Sequence, residues 1–235
     1  MPAMNFRGVL EQVESLAHNV RSFRIKLVEP PTIEFQAGQF VIINVPKNGA
    51  VIKRAYSIAS PPHEPATIEL CIQHVEAGIA STYFWNLKGG EPISLSGPHG
   101  KFLLKEPWDY EPVFIATGTG VAPLRAMIRH LLYKNFPGDI SLFFGTRYEH
   151  SLLYESEFRQ WASARRNFHY YPTVSRPKDW HGEVGHVQQT FQKYVKDSTK
   201  KELYLCGWSE VIKSVCRDLE GFGVPKDKLH YEEWA

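Results

Sequence analysis

The chain has 235 residues, with 27 Lys plus Arg against 25 Asp plus Glu for a formal net charge of +2. So even a balance predicts no nucleic-acid partner, because phosphate-backbone binding needs a concentrated basic surface. A composition of 43% hydrophobic and 22% charged residues excludes a disordered chain. The length fits one large domain or two small ones, since domains usually run about 100–200 residues.

In chain order, the N-terminal stretch Met1-Pro2-Ala3-Met4-Asn5-Phe6-Arg7 lacks the charged-then-apolar pattern of a signal peptide. No apolar run approaches the roughly 20 residues that span a bilayer. The first half then reads as β. Apolar stretches Val20 to Val28, Gln39 to Val45, Arg54 to Ala59, Thr67 to Val75 and Pro92 to Leu95 alternate with turn signals at Pro30-Pro31, Lys47-Asn48-Gly49, Pro61-Pro62 and Gly89-Gly90. Short strands at this spacing predict an antiparallel barrel or sandwich. One short helix is predicted, over Ile79 to Leu87.

The second half changes period. A compact apolar strand, Val113 to Ala116, leads through Thr117-Gly118-Thr119-Gly120 into a helical stripe of Leu124, Met127, Ile128, Leu131 and Leu132. The pattern recurs as strand 140–144 and helix 155–164, strand 168–174 and helix 184–195, then strand 203–206. Ser209 is placed to cap the last helix, whose stripe is Ile212, Val215, Cys216 and Leu219, and Leu229 to Trp234 closes the chain as a strand. Strand–helix alternation predicts a parallel sheet wrapped by helices. The seam falls at the proline- and charge-rich segment 105–112, which predicts two domains, residues 1–107 and 108–235.

The loop Ala116-Thr117-Gly118-Thr119-Gly120-Val121-Ala122-Pro123 follows a strand and opens a helix. Glycines let a backbone approach a pyrophosphate, and a helix N-terminus offers unpaired amides. Pro123 suits the first helical turn, where a missing amide hydrogen does no harm. The same sequence also suits a plain tight turn. On the predicted strand Arg54-Ala55-Tyr56-Ser57, the guanidinium can clamp a phosphate, the ring can lie on a flat heterocycle and the hydroxyl can bond its edge. Alone, these residues are also ordinary strand structure.

Together the motifs resemble the ferredoxin–NADP reductase superfamily of two-domain flavin and nicotinamide reductases, along the whole chain and in the family's order. Gly38-Gln39-Phe40 resembles its early barrel motif, and Arg54-Ala55-Tyr56-Ser57 its RxYS flavin signature. Gly78-Ile79-Ala80-Ser81-Thr82 resembles the GxxS[TN] pyrophosphate turn, and Ser96 to Phe102 the GPxGxF segment that closes the barrel. Thr117 to Pro123 resembles the GTGxxP nicotinamide loop, and Tyr204-Leu205-Cys206-Gly207 the YxCG motif.

The resemblance implies an N-terminal antiparallel Greek-key β-barrel for FAD, with FMN the lesser alternative, and a C-terminal α/β parallel-sheet domain for NAD(P). It implies that Arg54 pairs with the flavin phosphate, that Tyr56 packs on the isoalloxazine and that Ser57 hydrogen-bonds near flavin N5. His74 and Val75 border the ring through main-chain groups, while amides and hydroxyls around Gly78, Ser81 and Thr82 hold the phosphate or pyrophosphate. Thr117, Gly118, Thr119, Gly120 and Pro123 hold the nicotinamide dinucleotide's pyrophosphate, and Cys206 with Gly207 lines the nicotinamide pocket. Cys206 is a positioning group rather than a covalent catalyst, and Cys71 and Cys216 belong to the core.

Plant-type members end in an aromatic that covers the flavin, with a glutamate two positions earlier. Trp234 and Glu232 fit that spacing, with Ala235 as an extra residue beyond it. Ser57, Cys206 and Glu232 are therefore the candidate catalytic set. Ser175-Arg176, after the third strand of the second half, lies where NADPH-preferring relatives contact the ribose 2′-phosphate, and Arg147 adds charge nearby. NADPH is favoured over NADH.

Three cysteines cannot supply the four thiolates of an iron–sulfur cluster, and no His, Cys or Asp set has metal-ligand spacing. The electron acceptor is then external: a ferredoxin, a flavodoxin, an oxygenase component or free flavin. A flavin reductase that releases its flavin is the alternative within the class. A non-catalytic redox-sensing or electron-transfer subunit is the alternative outside it. The cysteine usage predicts a cytoplasmic protein.

Overall fold

A computed structural model describes residues 3–234. The chain divides into two compact units. The first runs to Leu104 and takes in Arg125–Lys134, and the second comprises Lys105–Leu124 and the residues from Asn135 onward.

The first unit is antiparallel β. Its strands are β1 (Met4–Ala17), β2 (Val20–Glu29), β3 (Phe40–Lys47), β4 (Ala50–Ser57), β5 (Thr67–Gln73) and β6 (Pro92–His99), with helix α1 (Ile79–Asn86) between β5 and β6. They form one sheet in the order β4-β3-β6-β1-β2-β5, and an isolated bridge between Ile58 and Leu70 joins the two edge strands into a barrel. Phe23, Ile25, Val41, Ile43, Ile68, Leu70 and Phe84 are fully buried in its core.

Strand β1 has no counterpart in the apolar-run reading. Of its fourteen residues only Phe6, Gly8 and Leu10 are buried, so polar and charged residues mask its period. Strand β4 begins at Ala50 rather than Arg54 because Asn48 and Gly49 both adopt positive φ (48° and 79°), the geometry of a two-residue hairpin. Every residue of β4 is exposed or half-buried, so this strand presents its side chains outward.

The second unit carries β7 (Glu111–Thr117), α2 (Val121–Tyr133), β8 (Ile140–Thr146), α3 (Glu155–Ala164), β9 (Phe168–Val174), β10 (Glu183–Val184), α4 (Val187–Tyr194), β11 (Lys201–Trp208), α5 (Ser209–Gly221) and β12 (Leu229–Trp234). Helix α2 starts in this unit and contributes Arg125 onward to the first. The sheet order is β10-β9-β8-β7-β11-β12, and all its pairs are parallel. Val113, Ile115, Leu203 and Leu205 pack one face against Ile212, Val215 and Leu219 of α5.

Two local expectations change. The helix predicted from Val184 begins at Val187, because β10 and Gly185 intervene and His186 caps the helix in a reciprocal box with Gln189. Ser209 is the first helical residue of α5 rather than its cap; the cap position is Trp208, which makes no side-chain capping bond.

The seam segment is anchored inside the second unit. The Lys105 N–H donates to the Tyr204 hydroxyl (2.9 Å), and the Tyr110 hydroxyl donates to the Lys105 carbonyl (2.7 Å). Buried Glu202 accepts from Lys105 (2.9 Å) and Lys228 (2.7 Å), and pairs with His230 at 2.7 Å.

Candidate cofactor sites

In the first unit, β3–β4 pairing places Arg54 opposite Ile43 and Tyr56 opposite Val41, two residues apart on one face. Arg54 is exposed, with Nη1 donating to the Lys53 carbonyl (2.8 Å). Tyr56 meets Phe84 of α1 edge-on, with centroids 5.6 Å apart. Burial pushes the Tyr56 hydroxyl up to about 12, against the opposing pull of Arg54. The phenol therefore stays neutral, and the ring is an uncharged half-buried platform.

The β5–α1 connection carries the next candidates and leads into α1, whose Phe84 meets Tyr56. His74 is held by its N–H to the Asn19 carbonyl (2.8 Å), and its ring lies 5.1 Å from that of Trp85. Val75 is exposed. The Ser81 hydroxyl is used by the loop itself: it accepts from the Val75 N–H and faces the Val75 and Gly78 carbonyls, each at 3.1 Å. What this turn offers an anion is therefore backbone together with exposed Thr82, not the Ser81 side chain. Helix α1 has no side-chain cap and no acidic residue in its first turn, so nothing local competes for its leading amides. These residues fit a planar, phosphate-bearing cofactor.

Two other motifs serve the barrel itself. Gln39 donates to the Gly100 carbonyl (3.4 Å), and Phe40 stacks on His99 at 5.5 Å, so Gly38-Gln39-Phe40 and Ser96 to Phe102 pack on each other.

In the second unit, β8 and β9 lie on one side of β7 while β11 and β12 lie on the other. The strand order reverses between β7 and β11, and open α/β sheets bind ligands at that crevice, beyond the carboxyl ends of the strands. Thr117-Gly118 ends β7 there and Cys206-Gly207 nears the end of β11. The Thr117 hydroxyl oxygen is buried and has no hydrogen-bond partner in the chain, a cost that a bound polar group would remove. Gly118 (φ +54°) has nothing within 4 Å of where a side chain would begin, so its backbone faces open space.

Gly120 and Gly207 have a different task. A side chain at Gly120 would run into the Cys206 carbonyl, and one at Gly207 into the Thr117 hydroxyl. These glycines lock the two strand ends together, leaving Thr117-Gly118 as a half-buried lip. Thr119 lies in the same 3-10 turn, and Pro123 occupies the first turn of α2.

Cys206 is fully buried; burial, then the charge of Glu232, holds its thiol well above the usual range. A protonated, enclosed thiol is a neutral spacer and not a nucleophile. Glu232 is its register partner on β12, and half-buried Trp234 is the partner of Trp208. Ala235 lies outside the described residues.

The coenzyme-selecting candidates converge. The Ser175 N–H donates to the Thr146 carbonyl (2.9 Å) and the Arg176 N–H to the Arg147 carbonyl (2.8 Å), which sets exposed Arg147 and Arg176 side by side beyond β8 and β9. Sequence reasoning missed Trp85, over whose ring Arg21 lies at 4.7 Å, and exposed Trp208. Neither carries a motif signal. Among the described residues, no three His, Cys, Asp or Glu are grouped to hold a metal, and no helix is long and apolar enough to cross a membrane.

Comparison with known proteins agrees with both halves. Residues 7–103 match the oxidoreductase FAD-binding domain, and residues 114–217 match the oxidoreductase NAD-binding domain. Ferredoxin–NADP reductase B of Sorangium cellulosum is 32% identical, covering 97% of both chains. The phenol hydroxylase P5 protein of Acinetobacter pittii is 31% identical over 98% of this chain, which spans 65% of that protein. The cytochrome P450 reductase of Amycolatopsis superposes with a TM-score of 0.90 at 26% identity, over 99% of this chain and 70% of that one. The chain belongs to the ferredoxin–NADP reductase superfamily and is a two-domain flavoprotein oxidoreductase that passes electrons from NAD(P)H through FAD.

Proposed function

We propose that the chain is an NADPH-preferring reductase that retains FAD and delivers electrons to a separate acceptor, a ferredoxin- or flavodoxin-type carrier or an oxygenase component. The functional halves are residues 1–107 for the flavin and 108–235 for the nucleotide. When both groups are bound, the nicotinamide supplies a hydride that the flavin accepts and passes on as electrons. The observation that carries this reading is the lip at the sheet's switch point, where the buried, partnerless Thr117 hydroxyl adjoins the open Gly118 backbone.

The chain's own residues bind and orient. Tyr56 offers a neutral ring, Arg54 a phosphate-pairing cation on the same strand face, and Ser57 a hydroxyl at the strand end. His74 and Val75 border the ring, and the leading amides of α1 with Thr82 offer an anion seat. Cys206 and Gly207 shape the nicotinamide end without adding charge, with Glu232 beside them and Trp234 a proposed flavin neighbour. Arg147, Ser175 and Arg176 receive a 2′-phosphate. Three buried cysteines support a reducing, cytoplasmic setting.

One observation favours the flavin-releasing alternative. The connection from β5 to α1 is residues 74–78, which leaves no long loop there to grip the adenosine half of FAD. Stopped-flow bleaching of the desalted protein by NADPH and NADH in parallel tests both readings. Yellow protein bleached faster by NADPH supports the proposal. Colourless protein that reduces added flavin supports the alternative. Failure of either coenzyme to reduce bound or added flavin overturns both and leaves the non-catalytic subunit.

A further inference from the structure

Strands β11 and β12 are parallel and in register, with Tyr204 opposite His230, Cys206 opposite Glu232 and Trp208 opposite Trp234. Alternation puts all six on one face. The Tyr204 and His230 rings stack at 5.0 Å, and the Glu232 charge acts on the Cys206 thiol. The other face carries Leu203 and Leu205, packed in the core with α5. One face therefore presents a ladder of an aromatic pair, a thiol–carboxylate pair and an indole pair, the last at the carboxyl end where the sheet order reverses.

Trp208 stands out on this ladder. It is 55% exposed, an unusual exposure for so large an apolar ring, and it lies at the N-cap position of α5 without serving as a side-chain cap. Its neighbour Gly207 packs on Thr117, the residue with the partnerless hydroxyl. We propose that Trp208 is a positioning residue for the nicotinamide half of the coenzyme, a shelf against which the flat ring rests beside Trp234. This rests on the reductase reading above. A planar heterocycle seated there would cover exposed apolar surface and leave the adenine half, held at Arg147 and Arg176, untouched.

The test is equilibrium binding of NADP+ and of 2′,5′-ADP, which lacks the nicotinamide half, to the wild type, Trp208→Ala and Trp208→Phe by calorimetry. Trp208→Ala is expected to weaken NADP+ roughly three- to tenfold, the size of one aromatic stacking contact, while 2′,5′-ADP binding stays within about twofold and Trp208→Phe regains most of the loss. A smaller loss for NADP+, or a loss that 2′,5′-ADP shares, overturns the assignment. Wild-type protein that binds neither ligand instead removes the NADPH-preferring reading beneath it.

Discussion

Arginine placement gives a quantitative prediction about coenzyme choice. Arg147 and Arg176 follow the ends of separate strands, yet the backbone bonds Ser175 to Thr146 (2.9 Å) and Arg176 to Arg147 (2.8 Å) hold them as neighbours. A hydrogen bond to a charged group contributes roughly 1.5–3 kcal/mol. Both side chains are exposed, and at physiological salt, where the screening length is about 8 Å, each is worth about 1 kcal/mol. With about 1.4 kcal/mol per tenfold, Arg147→Gln and Arg176→Gln should each lower kcat/KM for NADPH about fivefold, and the pair roughly 25-fold. NADH, which has no 2′-phosphate, should change less than about twofold, and the NADPH effect should shrink as salt rises. Steady-state rates with both coenzymes and one artificial acceptor read this directly. Equal losses for NADH and NADPH, or no loss for NADPH, would refute the 2′-phosphate site.

Three further outcomes follow from the packing. Burial alone would raise the Glu202 carboxyl, but bonds from Lys228, Lys105 and His230 outweigh it and bring the group down to about 2. Glu202→Gln should cost about 3 kcal/mol at neutral pH. Because the folded value is depressed, this contribution is complete above about pH 4.5 and fades as pH falls through about 2, so urea titrations of variant and wild type should converge over that window; a gap that does not depend on pH refutes it. Gly120→Ala should destabilise the protein by about 1–3 kcal/mol, because its new methyl meets the rigid Cys206 carbonyl. Gly118→Ala meets no atom but must hold φ +54°, so it should cost about 1 kcal/mol of backbone strain and also raise the coenzyme KM, whereas Gly120→Ala should show the larger drop in thermal melts. Removing Trp234 and Ala235 should alter the rate of flavin reduction by NADPH in stopped flow, and unchanged kinetics would dismiss Trp234 as a flavin neighbour.

The sequence by itself determined the two-domain plan and the candidate residues, because the informative features are contiguous. Arg54 to Ser57 is a single strand end, and Thr117 to Pro123 a single strand–turn–helix, so local pattern suffices to read them. The period change after residue 107 likewise separates β-only from β-α by near-neighbour spacing. Strand β1 escaped because polar and charged residues fill most of its exposed positions, Met4 and Val9 point outward, and a glycine sits among its three buried residues. Tertiary structure alone decided relations between residues far apart in the chain. It packed Gly120 against the Cys206 carbonyl and Gly207 against Thr117, gave the Ser81 hydroxyl to its own loop, set Arg147 beside Arg176, and aligned Trp208 with Trp234. Each of these depends on strand order and register, which arise from burying the sheet's faces as a whole and leave no mark in any short stretch of residues.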